Sequence, residues 1–216
     1  MNAFANAFLL TYATLFPIIN SVGNVPFFLS MTRGLSDHDR NTLARHVAIN
    51  SFFLLLGSLL VGSHVLEFFG ISLPVVRIGG GLVVTAFGWR MLNSGVSADS
   101  DATASVPKPK TLDTFYPFTM PLTVGPGAIS VAIALGSQRP AFSDLVHLAV
   151  LGTAAVMGLV AISATIYLCY RFAEATVTRL GAGGMSVVVR LSAFLLVCIG
   201  IQIIWTGWTG LMALPR

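Results

Sequence analysis

Apolar residues run along this chain in long blocks, separated by short polar stretches. The blocks fall at roughly 4–31, 43–68, 72–92, 115–136, 145–170 and 187–212. Each is long enough, at about 20 residues, for a helix to cross a hydrocarbon layer about 30 Å thick. The pattern predicts an all-α membrane protein with six transmembrane helices. Between the first two blocks lies a polar loop from Thr32 to Arg40, whose Ser36 is placed to cap the second helix. A tight turn from Phe69 to Pro74 separates the second block from the third. The longest polar stretch, 93–114, is small, acidic and proline-bearing, and predicts a flexible linker.

Two blocks are interrupted, and the interruptions match. The first reads Phe16-Pro17-Ile18-Ile19-Asn20-Ser21-Val22-Gly23-Asn24-Val25-Pro26. The second reads Tyr116-Pro117-Phe118-Thr119-Met120-Pro121-Leu122-Thr123-Val124-Gly125-Pro126-Gly127. At an offset of 100 residues, Pro17 falls on Pro117 and Pro26 on Pro126. Proline and glycine remove helical hydrogen bonds and free backbone groups that hydrocarbon cannot satisfy. Helices 1 and 4 are therefore expected to be discontinuous. Paired breaks in corresponding places of two halves point to a transport site.

Composition supports the membrane reading and removes others. Of 216 residues, 55% are hydrophobic and 9% charged, where soluble domains carry about 25% charge. The net charge of +4 would suggest a nucleic-acid partner in a soluble protein. Here the excess Lys and Arg mark cytoplasmic loops instead, and no nucleic-acid partner is expected. The two cysteines, Cys169 and Cys198, lie inside apolar blocks and suggest neither a disulfide framework nor a metal site. No cofactor is expected. No Lys or Arg precedes the first apolar block, so it reads as a retained helix rather than a cleaved signal.

The cations also set an orientation. Arg33, Arg40 and Arg45 flank the first loop, Arg90, Lys108 and Lys110 the third, and Arg171 and Arg179 the fifth. Only Arg139 and Arg216 fall on the other side. Loops one, three and five are then cytoplasmic and both termini periplasmic. Three helices per half is an odd number, so the second half enters the membrane in the opposite sense. The expected organisation is a first three-helix repeat over 1–92, a cytoplasmic linker over 93–114 and a second, inverted repeat over 115–216. Arg77 and Arg190, each near the start of its half's last helix, strengthen the repeat. Inverted repeats of this kind are a transporter signature.

The breaks suggest a chemistry. Pro126 suits the first turn of a helix, and Gly125 and Gly127 on either side let a ligand approach the backbone. The half-helix they open would present the N–H groups of Gly127, Ala128 and Ile129 to an anion such as a carboxylate. In the first break, Asn24 would cap a half-helix starting at Pro26, and Gly23 completes a pseudo-symmetric partner to the second break. The preceding half-helices end near Asn20 and Thr119, where unpaired carbonyls suit an ammonium group. Ser21 and Thr123 add neutral donors and acceptors. Neither break contains Asp or Glu, which favours a small zwitterion over a strongly charged ion. The plainer alternative is that each break is only a kink, since proline and glycine are common in membrane helices.

The remaining features read as structural. Arg77 and Arg190 are expected to snorkel or to pair with Glu67 or Glu174. His64 and His147 sit near helix ends, without metal-ligand spacing. Gly79-Gly80-Gly81 suits close helix packing. Trp205 and Trp208 fit an interfacial belt.

At these motifs the chain resembles the MarC family of bacterial inner-membrane proteins, also grouped with small neutral amino acid transporters. The resemblance rests on Phe16 to Leu29, on Phe118 to Ser130 and on Arg77-Ile78-Gly79-Gly80-Gly81, and spans nearly the whole chain. Ser21 stands where the family usually has proline, which predicts a less abrupt first break. The resemblance implies a six-helix inner-membrane protein and, for some members, transport of glycine- or alanine-like substrates. The expected function is a secondary transporter of a small neutral amino acid by alternating access, not an enzyme. Its partners would be the substrate, the lipid bilayer and, as a further candidate, a second copy of the chain. Two alternatives remain: a non-transporting membrane component, and an intramembrane enzyme using His64 next to Ser63.

Overall fold

The computed structural model describes residues 3–32, 34–94, 113–137 and 145–213. Residues 95–112 of the linker, with Arg33, Arg139 and Arg216, lie outside the described residues. The described chain is helical throughout, without a strand. In order it forms α1 (Ala3–Ile19), α2 (Val25–Met31), α3 (Asp37–Phe68), α4 (Leu73–Ser94), a wide-turn segment Thr114–Thr123, α5 (Pro126–Ser137), α6 (Leu145–Arg171) and α7 (Ala173–Met212).

Four helices are long and apolar enough to cross a membrane, over Asp37–Phe68, Leu73–Asn93, Ala149–Arg171 and Gly183–Met212. The wide-turn segment and α5, bent by 73°, form a fifth candidate span as a pair. α1 is a shorter apolar helix of 17 residues.

Local sequence explains the clean helix ends. Ser36 caps α3 as expected: its Oγ accepts the Asp39 N–H at 3.1 Å, and Asp37 and Asp39 complement the positive helix N-terminus. At the other end Gly70 takes φ 66°. Its N–H reaches the Glu67 carbonyl at 3.0 Å while the Ile71 N–H reaches that of Leu66 at 2.9 Å, closing a Schellman turn. Gly181, at φ 66° and ψ 173°, interrupts the early part of α7.

Small residues set the main packing seam. Gly81 of α4 lies against the carbonyl of Gly200 in α7, Gly88 against that of Ala193, and Gly207 against that of Pro74. Numbers rise along one helix as they fall along the other, so α4 and α7 run antiparallel in backbone contact. A β-carbon at Gly81 would stand 2.7 Å from the Gly200 oxygen. Such approach is how membrane helices gain packing when lipid offers no hydrophobic driving force. Elsewhere α1 packs on α6, α3 on α5 and α6, and α5 on α4. The outward faces of α3, α4 and α7 expose Phe53, Trp89, Leu191 and Trp205, an apolar surface suited to lipid.

Candidate functional site

The first break is a turn closed by its own hydrogen bonds. Asn20 ends α1 in the left-handed region, φ 49°, where it replaces the glycine usual at that position. Its N–H bonds the Phe16 carbonyl at 3.1 Å, and its carbonyl accepts the Asn24 N–H at 3.0 Å. Its side-chain Oδ1 accepts the Gly23 N–H at 3.3 Å, while Nδ2 faces the Met91 sulfur at 3.9 Å. A β-carbon on Gly23 would run into that Asn20 amide, so the turn demands glycine. The Phe28 N–H, at the tip of α2, is taken by the Asn24 carbonyl at 2.9 Å.

Asn24 does not cap α2 with its side chain. Its Nδ2 donates instead to the Ile19 carbonyl at 3.1 Å and to the Leu122 carbonyl at 2.8 Å. Both partners accept only, so the nitrogen must face them. The carbonyl end of α1, expected to be open, is thus filled by the protein itself. The same side chain crosses to the second break.

The second break follows from two prolines. A residue before proline is driven out of the helical region, and Tyr116 and Met120 are extended, with ψ of 128° and 124°. Threonine hydroxyls bond back to carbonyls five residues earlier. Thr119 Oγ1 donates to the Thr114 carbonyl at 2.8 Å and Thr123 Oγ1 to the Phe118 carbonyl at 2.7 Å. The chain then turns and restarts at Pro126. The first bond of α5 runs from the Ile129 N–H to the Gly125 carbonyl at 3.2 Å. Ile129 is therefore paired. Gly127 and Ala128 come ahead of it, where a helix offers their N–H groups no carbonyl.

The two breaks border a cavity of about 80 Å³, room for a few waters or a molecule of a few heavy atoms, and it opens on the side of the exposed Val83 and Phe87. Asn24, Thr123, Gly125, Pro126 and Gly127 line it, together with Ala128. Asn20, Ser21, Gly23 and Thr119 are buried behind the lining, and Pro26 is half-buried at the start of α2. Val83, Val84 and Phe87 of α4 and Leu196 of α7 complete an apolar wall. No charged side chain lines the cavity among the described residues. Asn24 Oδ1 is buried and has no partner, although both amide hydrogens are engaged. The arrangement sets the start of α5 and the residues Asn24 and Thr123 around an apolar space.

The flanking glycines differ. Gly127 packs directly on Val84, and Gly80 on the Ser130 hydroxyl, so both are fixed by helix packing. Gly125 has space: a β-carbon there would meet only the Pro121 oxygen, at 3.5 Å. The offset of 100 recurs in detail. Ser30 Oγ donates to the Phe27 carbonyl and Ser130 Oγ to that of Gly127, each at 2.8 Å.

Sequence reasoning missed Tyr170. It is fully buried, its hydroxyl lies 2.9 Å from Thr123 Oγ1, and its ring stacks on Phe28 with centroids 4.3 Å apart. Phe118 meets Phe28 edge-on at 5.9 Å. The available signal was a tyrosine inside an apolar block, because a buried tyrosine hydroxyl needs a partner. The wall from α4 carried no such signal.

Of the other expectations, Glu174 is held by Arg40 at 2.8 Å rather than by Arg190, which is exposed. Arg77 is half-buried and His64 is exposed on α3, while the side chain of His147 lies outside the described residues. Gly80 and Gly81 serve close helix packing as expected. Trp205 and Trp208 are exposed on α7.

Comparison with known proteins gives a consistent result. The model of the MarC family, described as integral membrane proteins, matches residues 5–212. The membrane protein YvbG of Bacillus subtilis is 29% identical over 203 residues, covering 93% of each chain. The inner membrane protein MarC of Salmonella typhimurium is 30% identical over 199 residues, 89% of this chain and 90% of that one. The inner membrane protein MarC of Escherichia coli O1:K1 is 32% identical over 202 residues, with the same coverage. No solved structure matches the chain.

Proposed function

The chain belongs to the MarC family of integral membrane proteins, and from that premise we propose that it is a secondary transporter of a small neutral amino acid or similar zwitterion. The observation that carries this reading is the cavity between the two helix breaks, bridged by Asn24 and free of charged lining. A carboxylate would sit against the Gly127 and Ala128 N–H groups, and an ammonium group on the side of Asn24 and Thr123. Asn20, Ser21, Gly23, Pro26 and Thr119 would hold the breaks in shape from behind, and Thr123, Gly125 and Pro126 would border the substrate. The small volume and the wall of Val83, Val84 and Phe87 exclude large side chains.

Alternating access would use two inverted three-helix halves, 1–92 and 115–216, joined by the linker 93–114. Helix pairing supports this. Exchange of the halves turns the α1–α6 contact into that of α3 with the second broken pair, and both occur. It maps the antiparallel α4–α7 seam onto itself. The relatives' names and the charge distribution support a multi-pass inner-membrane location with both termini periplasmic.

One observation favours a second reading, a membrane component that does not transport. The side chains of Asn20, Thr119 and Thr123 are all bonded within the breaks, as a purely structural junction requires. Proteoliposomes holding the purified protein separate the two. Labelled glycine or alanine should cross the bilayer, and failure to move any small neutral amino acid would remove the transport reading. Gly125→Val fills the cavity at a site with room for a β-carbon. It should abolish transport while leaving the melting temperature in place, and undiminished transport would take the cavity out of the path.

A further inference from the structure

A second, larger cavity of about 650 Å³ opens where the start of α3 meets the corner between α6 and α7. Arg40, Arg171 and Arg179 line it, with Asp37 and Glu174. Both carboxylates converge on one guanidinium nitrogen of Arg40, at 3.1 and 2.8 Å. The lining thus sets three arginines against two carboxylates, and both carboxylates are spent on one of the three. The Nε of Arg40 is buried and has no partner. Arg171 is held by neutral groups: it donates to the Tyr167 hydroxyl at 2.8 Å and lies over the rings of Tyr167 and Phe172 at 5.7 and 5.6 Å. These contacts orient its charge without cancelling it. Arg179 is exposed at the rim.

We propose that this cavity binds a phosphate anion, the phosphodiester of an acidic phospholipid headgroup. Arginine forks match phosphate oxygens in pairs, and three of them face one opening. Arg171 ends an apolar span, so the cavity sits at the depth of the headgroups. Phe172 in its wall is 51% exposed and Leu180, next to Arg179, is 40% exposed, offering apolar surface to the lipid below the phosphate. The site is separate from the junction and stands or falls independently of transport.

The test titrates purified protein in phosphatidylcholine nanodiscs with phosphatidylglycerol, and in parallel with inorganic phosphate, reading the melting temperature. Phosphatidylglycerol should raise it saturably. The double variant Arg171→Gln/Arg179→Gln should need about 25-fold more lipid for the same shift, about fivefold for each arginine at a membrane surface. Glu174→Gln, which removes one of the two carboxylate charges on Arg40, should need less. An equal shift in the double variant would mean that these arginines do not hold the lipid and would overturn the site. No shift in the wild type would do the same. A shift with inorganic phosphate and none with phosphatidylglycerol would overturn the lipid source and leave a free anion as the ligand.

Discussion

The two helix breaks occupy matching places in the chain and have opposite characters. The first, Asn20 to Asn24, is sealed. Its carbonyls and amides bond one another, its asparagine takes the left-handed turn, and Gly23 has an amide pressed against it. The second, at Val124 and Gly125, is open. Gly125 has free space beside it, and the chain restarts with two N–H groups ahead of the first helical bond. Corresponding prolines thus produce a strut in one half and a chamber wall in the other. What joins them is Asn24, which belongs to the sealed break, donates to the Leu122 carbonyl of the open one and lines the cavity there.

This contrast can be broken most severely at the strut. Asn24→Ala strands the buried Ile19 carbonyl and the part-buried Leu122 carbonyl and should cost about 2–4 kcal/mol, at 1–3 for a buried unsatisfied group and less for an exposed one. Thermal unfolding in detergent would record it, and a small change would mean that the bridge contributes little. Next comes the same small substitution in each break. Gly23→Ala forces a methyl into the Asn20 amide and should cost about 1–3 kcal/mol as overpacking. Chemical denaturation followed by tryptophan fluorescence would measure this loss. Asn20→Ala keeps the left-handed turn without its side-chain bond and should cost about 1–2 kcal/mol. Here Asn20→Gly, free of that backbone penalty, should recover part of the loss in the same melt. Smallest of all is Gly125→Ala, whose β-carbon meets ordinary contact distances. Its stability should change by less than about 0.5 kcal/mol, while uptake of alanine falls more than uptake of glycine. If Gly125→Ala destabilised as much as Gly23→Ala, the distinction between sealed and open breaks would be lost.

Much of the fold was legible because its causes are local. Ser36 caps α3 through a residue three positions on, and Gly70 ends the same helix within one turn. The prolines at 117 and 121 act on the residues directly before them. Misreadings arose where two placements satisfied the same local rule. An asparagine before a helix is a good cap, so Asn24 looked like one, but a carbonyl 98 residues away is its partner. Glu174 looked like a partner for an arginine of its own half, whereas Arg40 reaches it from the first. Tyr170 and the wall from Val83 to Phe87 stood in apolar blocks with nothing in their neighbours to mark them.

The sequence by itself determined that the chain is an apolar helical protein of the membrane and that it breaks at two related points. Apolar length and proline chemistry act over a few residues and need no partner. Only the tertiary structure decided which break closes, which one opens, and what lies between them. Those outcomes depend on side chains meeting groups about a hundred residues away, across helices brought close by Gly80, Gly81, Gly127 and Gly200. Packing of that kind is a property of the assembled bundle, and no local pattern carries it.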